Sequence, residues 1–248
     1  MTVRDGGPQP AGAGERSHRD ETSHGMSRTR RLVRGITAMV LFTLPVLFLG
    51  FAVRQQFDPL IRADKTVIDA TTGFTRDHGL ADLFIVIQTI SQPFLVYIVA
   101  TLVALWVWLR KGLRSRALWA FVTMMVAWNI GLLAKTVVQR ARPVVDDPIS
   151  HSPGYSFPSG HAFNIAVVVT VLVFLLWPLL TPVARKASVV VAVVVALVVG
   201  LDRMMLGAHF PSDVIAGYVL GVGTTFSSWL GFIGKKAATS SPGPSSPA

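Results

Sequence analysis

Residues 155–180 read YSFPSGHAFNIAVVVTVLVFLLWPLL. A polar opening marked by Pro, Ser and Gly leads into a long apolar run. No Asp, Glu, Lys or Arg occurs anywhere in 148–184. About 20 apolar residues cross the hydrocarbon layer of a bilayer as an α-helix. Five further charge-free runs occupy 35–53, 83–109, 117–134, 187–201 and 214–234. A soluble helical core would alternate its apolar stripe with charged outer faces rather than clear six runs of charge. The pattern therefore predicts an all-α fold, a six-transmembrane-helix bundle with disordered N- and C-terminal tails.

Composition supports this reading. Of 248 residues, 51% are hydrophobic and 15% charged, against about a quarter charged in soluble domains. Cysteine is absent, which excludes disulfides and thiolate metal sites. The net charge of +10 would suit nucleic acid, but the basic residues gather at the ends of the apolar runs, so no nucleic-acid partner is expected. Membrane lipids are.

The spans are expected at Gly35 to Val53, within 83–109, and at Ala117 to Val138, His161 to Leu180, Ala187 to Leu201 (continuing toward Met205) and Asp213 to Ile233. The polar stretch Gln88-Thr89-Ile90-Ser91-Gln92-Pro93 marks either a kink or a short helix before the true second span. Residues 54–82, with four basic and five acidic residues, read as a mixed loop. Residues 1–34 form a polar tail that ends in Arg28, Arg30, Arg31 and Arg34. A signal peptide is the competing reading of the first apolar run, with Gly50-Phe51-Ala52 as a cleavage site. The run is long for that purpose, and so is the segment before it. Residues 35–234 form the membrane domain, and 235–248 a second tail.

Orientation comes from charge. The N-terminal tail, the 110–116 loop, the 185–186 turn and the C-terminus are basic and alternate along the chain, so all four are expected in the cytoplasm. The remaining three loops face outward and hold every acidic residue beyond the N-terminal tail.

Three motifs fall at the outward ends of the spans. Lys135 and Arg142, followed by Pro143, are two helical turns apart and are expected to share a face, with Pro143 ending the helix. Alone, such cations could simply snorkel to the headgroups. Pro158-Ser159-Gly160-His161 opens a span, and a helix N-terminus offers unpaired N–H groups that suit phosphate. Alone, Ser159 could be an ordinary N-cap. Arg203, His209 and Asp213 lie between the last two spans. An imidazole–carboxylate pair four residues apart fixes one tautomer and leaves the other ring nitrogen reactive. Alone, Asp213 could be a cap beside an incidental His209. Together at one membrane face, three cations, two imidazoles and a carboxylate suit a phosphoryl group. Three cations would oppose a divalent ion, so neither metal nor cofactor is expected. Arg140 and Asp146-Asp147 read as solvated loop charge.

The pattern Lys135-x6-Arg142-Pro143, Pro158-Ser159-Gly160-His161 and Arg203-x5-His209-x3-Asp213 resembles the type 2 phosphatidic acid phosphatase superfamily over about residues 80–234. One position departs from it: Asp202 stands where that family usually has Ser, and its charge could pair with Arg203 and weaken phosphate binding. The resemblance implies a metal-independent phosphatase of the cell membrane; the charge pattern puts its catalytic motifs, within 135–213, on the extracytoplasmic face and both termini in the cytoplasm. His209 would attack phosphorus to give a phosphohistidine, Asp213 would orient it, and His161 would protonate the leaving oxygen and then activate water. Lys135, Arg142, Ser159, Gly160 and Arg203 would bind the phosphoryl oxygens. The implied substrate is a lipid phosphate: polyprenyl diphosphate first, with phosphatidic acid and phosphatidylglycerol phosphate as alternatives. A phosphotransferase of the same family, or a non-catalytic lipid-phosphate binder or transporter, are the other readings.

Overall fold

The computed structural model describes residues 28–144, 149–150 and 153–233. It has eight α-helices in chain order: α1 (Arg28–Arg54), α2 (Asp58–Asp77), α3 (Ala81–Ile90), α4 (Pro93–Arg110), α5 (Arg114–Val138), α6 (Gly160–Leu176), α7 (Pro182–Met205) and α8 (Pro211–Phe232). A 3₁₀ turn, Trp177–Leu179, extends α6. No strand occurs among the described residues. All but α2 and α3 are long and apolar enough to cross a membrane. The protein is an integral membrane protein with an all-α fold.

Helix boundaries reflect local chemistry. Proline occupies the first turn of α2, α4, α7 and α8, where its missing N–H has no partner to lose. Ser159 and Thr181 cap α6 and α7 through their side-chain oxygens, as Ser and Thr do at helix starts. The polar stretch before Pro93 does separate a short helix, α3, from the true second span, α4.

Three boundaries differ from the sequence reading. Arg28 to Arg34, expected in the tail, form the first turns of α1. Arg185 and Lys186, expected in a turn, lie inside α7, because Thr181 and Pro182 start the helix before them. The largest difference is α2, in a segment expected to be a loop. Its buried residues are Asp64, Ile68, Thr72 and Thr75, one face of a helix at the 3.6-residue period. A search for charge-free runs cannot see a helix whose outer faces are charged. The tail residues 1–27 and 234–248, and Asp146-Asp147, lie outside the described residues.

The bundle centres on α6 and α8. Half of each span is buried, against 22% in α1, α4 and α7. Their contact depends on two glycines of α8 spaced four apart. A Cβ at Gly217 would lie 2.8 Å from the Ser159 carbonyl oxygen, and one at Gly221 2.6 Å from that of Phe163. Glycine at both positions lets the backbones touch, as small-residue seams do between membrane helices. This seam runs up to the ends of α6 and α8, where Ser159 N–H donates to the Asp213 carbonyl at 2.9 Å. Packing thus brings the second and third sequence motifs together.

Candidate active site

His209 sits in the turn between α7 and α8. Gly207 adopts a left-handed conformation (φ 67°). The N–H groups of Ala208 and His209 both donate back to the Arg203 carbonyl, at 3.0 and 3.2 Å. This is a glycine-dependent helix ending, and it delivers His209 to the start of α8. There Nδ1 of His209 lies 3.6 Å from Asp213 Oδ2, facing the carboxylate but beyond hydrogen-bonding distance. On the other side of the ring, Arg142 Nη1 donates to Nε2 at 3.1 Å. Nε2 therefore carries a lone pair, and the ring proton belongs on Nδ1 beside Asp213. Burial pushes the imidazole down to about 4, opposed by the Asp213 carboxylate, so His209 is neutral at neutral pH.

Arg142 does not share a helical face with Lys135. Helix α5 ends at Val138, and Gln139 takes a left-handed conformation (φ 54°). Arg142 reaches the site from the irregular segment beyond. It is held by the carbonyls of Ala208 (2.8 Å), Gly154 (3.1 Å) and Pro153 (3.1 Å). Lys135 projects from the last turn of α5 and donates to the Tyr155 carbonyl at 2.8 Å. The two cations meet by loop geometry rather than by helical spacing.

The PSGH stretch opens with a cis Phe157–Pro158 peptide. Ser159 is fully buried, and its Oγ accepts from Ala162 N–H, so it acts as the N-cap. At Gly160 an added Cβ would lie 3.6 Å from Lys135 Cε, so this glycine faces the lysine. His161 Nε2 is buried without a protein hydrogen-bond partner. Its ring lies in the field of the Arg203 and Lys135 cations. An unpaired polar atom in such a setting is an available donor or acceptor for a ligand.

Arg203 is fully buried at the end of α7. Its Nε donates to Asp202 Oδ2 at 2.8 Å and Nη2 bonds the same oxygen, while Nη1 donates to Gln88 Oε1 at 3.0 Å. The carboxylate at position 202 thus does pair with Arg203.

Arg140 is the main correction. Expected to be solvated, it is buried between two carboxylates. Nη2 donates to Asp64 Oδ2 and Nη1 to Asp213 Oδ1, both at 2.7 Å, and Nη1 also donates to Ser212 Oγ at 2.8 Å. Ser156 Oγ donates to Asp213 Oδ2, and Phe210 N–H donates to the same oxygen at 2.9 Å. Sequence reasoning missed Arg140, Ser156, Ser212, Asp64 and Gln88. For Arg140 the available signal was the Arg-x-Arg pair beside Pro143. For Asp64 it was the helical period of its segment.

Among the described residues no three His, Cys, Asp or Glu side chains cluster as a metal site would. The polar groups that converge here are two imidazoles and several cations, one imidazole backed by a carboxylate. The donor set fits an oxyanion rather than a divalent ion.

Residues 116–235 match the PAP2 superfamily. The chain is 34% identical over 113 residues to phosphatidylglycerophosphatase B of Bacillus subtilis (strain 168), an alignment that covers 43% of this chain and 55% of that relative. It thus spans little more than half the relative's length. The fold is similar to the crystal structure of the first transmembrane PAP2 type phosphatidylglycerolphosphate phosphatase from Bacillus subtilis. The TM-score is 0.65 and the identity 26%, over 77% of this chain and 94% of that one. Residues 116–235 belong to the PAP2 superfamily, and the fold of the chain agrees with that assignment.

Proposed function

We propose that the protein hydrolyses a lipid phosphomonoester or diphosphate through a phosphohistidine, without a metal. The observation that carries this is His209: neutral, with its Nδ1 facing Asp213 and its Nε2 lone pair directed at the Arg142 guanidinium. A phosphoryl group bound by Arg142 would sit against that lone pair. Nε2 attacks phosphorus and the bond to the leaving oxygen breaks, while His161 donates a proton to that oxygen. The resulting cationic ring is stabilised by Asp213. His161 then takes a proton from water, which attacks phosphorus and breaks the P–N bond, releasing phosphate. General acid–base assistance of this kind is worth about 10²–10⁴-fold. Lys135, Arg142, Arg203 and the Gly160 backbone serve the phosphoryl oxygens. Ser159, already the N-cap, contributes mainly by fixing the end of α6.

A lipid substrate is favoured by a largely apolar cavity of about 160 Å³ lined by Pro93, Trp128, Leu132 and Phe163, with Lys135 and Gly160 also in its wall. An extracytoplasmic site is favoured by charge: Arg28, Arg110, Lys111, Arg114 and Arg185 lie at the opposite ends of their helices from the site. The named activity of the relatives favours phosphatidylglycerol phosphate. The outward-facing site favours a spent polyprenyl diphosphate carrier.

The test is phosphate release in detergent from phosphatidylglycerol phosphate, polyprenyl diphosphate and phosphatidic acid, with EDTA present and with His209→Ala in parallel. Release that survives EDTA and falls by on the order of 10³-fold or more in the variant is expected. Release that the variant retains would remove His209 as nucleophile. Transfer to an added lipid or sugar alcohol in place of water would assign a phosphotransferase.

A further inference from the structure

We propose that Asp64 of α2 and Arg140 form a positioning relay that sets the charge acting on His209. The inference rests on the phosphohistidine mechanism and extends it to a helix outside residues 116–235, the region matched to the superfamily.

The geometry is closed on every side. Asp64 accepts from Arg140 Nη2 (2.7 Å), from Ser212 N–H (3.0 Å) and from Ser212 Oγ. Arg140 reaches Asp213 Oδ1 at 2.7 Å, and its guanidinium lies 4.0 Å from the centre of the Phe210 ring. Asp64, Arg140 and Asp213 are all buried. The second oxygen of Asp213 faces His209. Helix α2 also secures the other side of the His209 turn. Thr71 and Thr75 donate to the carbonyls of Met204 and Met205, at 3.1 and 3.0 Å. One helix thus holds both the end of α7 and the start of α8.

Charge gives the arrangement its consequence. Two carboxylates around one guanidinium leave one net negative charge beside His209. Without Asp64, Arg140 would cancel Asp213, and the cationic phosphorylated ring would lose its counter-charge. Without Arg140, two negative charges would remain. The other charged and titratable groups that face His209 are Arg142, Lys135 and His161, with Arg203 behind them. Substitutions at Asp64 and Arg140 leave all four in place.

The experiment uses the full chain in detergent, with dioctanoyl phosphatidic acid and the other lipids of the panel. Asp64→Asn, Arg140→Gln, the double variant and Asp64→Glu are compared for kcat/KM against pH and for the lifetime of phosphohistidine trapped by alkaline quench, since the P–N bond is acid-labile. The nucleophile must be neutral, so the acid limb tracks the His209 pKa. Asp64→Asn removes a negative charge and moves the limb down. Arg140→Gln removes a positive charge and moves it up. Each shift is expected to be about one pH unit, a tenfold change in protonation. Phosphohistidine lifetime should shorten in the first variant and lengthen in the second. The double variant restores the net charge and should return the limb close to wild type. Asp64→Glu keeps the charge and the wild-type limb. A merely structural role would lower activity in all variants without opposite shifts.

If Arg140→Gln does not fold, the contrast between Asp64→Asn and Asp64→Glu decides. Limbs that stay in place, or move the same way in both single variants, overturn the relay alone. Absence of phosphohistidine in the wild type with every lipid overturns the proposed function, and the relay with it.

Discussion

Arg203, a phosphate-binding residue in the proposed mechanism, is already paired. The Asp202 carboxylate lies on it, and its other oxygen, Oδ1, is buried without a partner. A phosphoryl group must compete with that pair for the guanidinium. Replacing Asp202 by Ser is therefore expected to lower KM for the lipid phosphate by about tenfold, the scale of one charge-assisted hydrogen bond. It also leaves a buried cation without its counter-charge, which destabilises the ligand-free protein. The Asp202→Ser protein should melt at lower temperature alone and gain more from added vanadate or phosphate than wild type does. An unchanged KM would remove the competition. A second expectation concerns pH. The displaced pKa of His209, about 4, places the nucleophile in its neutral form above that value. The acid limb of kcat/KM should then lie well below 6.5, the ordinary histidine value. A limb near 6.5 would mean that His209 is more solvated than its burial indicates. Lys135, Arg142, His161, Arg203, His209 and Asp213 were singled out because each lies near another marked residue, although the shared helical face expected of Lys135 and Arg142 does not exist. Asp64 was not. It is 76 residues from Arg140 and 148 from Ser212, and only the packed chain brings them together.

At the scale of elements, the contact between α6 and α8 decides whether the two imidazoles face one another. A side chain at Gly221 would meet the Phe163 carbonyl at 2.6 Å, and a backbone atom cannot rotate away. Gly221→Leu is expected to cost about 1–3 kcal/mol or more through overpacking and to reduce activity by separating Ser159 from Asp213. Thermal unfolding in detergent and phosphate release would check both. Gly231 tests the reasoning from the other side. It has no neighbour within 4 Å of a built Cβ, so Gly231→Ala should leave both unchanged. The six spans were legible because bilayer burial leaves a one-dimensional trace, a stretch without charge. Helix α2 was not, because its signal lies in periodicity: Asp64, Ile68, Thr72 and Thr75 on one face, with charged residues on the others. The loop position of Arg142 was also hidden, since the left-handed turn at Gln139 has no sequence mark as clear as glycine.

For the whole molecule, the expected orientation puts α2 and the active site outside the cell and the basic helix ends inside. The absence of cysteine makes this simple to check. Thr66 on α2 and Lys111 after α4 are both exposed. A membrane-impermeant maleimide should label Thr66→Cys in intact cells and Lys111→Cys only after lysis. The reverse labelling would invert the topology and exclude an outward-facing site.

The bare backbone contact along α8 also has a mechanical consequence. Turning that helix by one residue, about 100°, would bring Tyr218 and Val222 into gaps that admit only a hydrogen atom. The shaft is keyed and cannot revolve. Asp213 at its tip therefore keeps one bearing toward His209, and any rearrangement of the bundle must be made by the helices around this fixed axle.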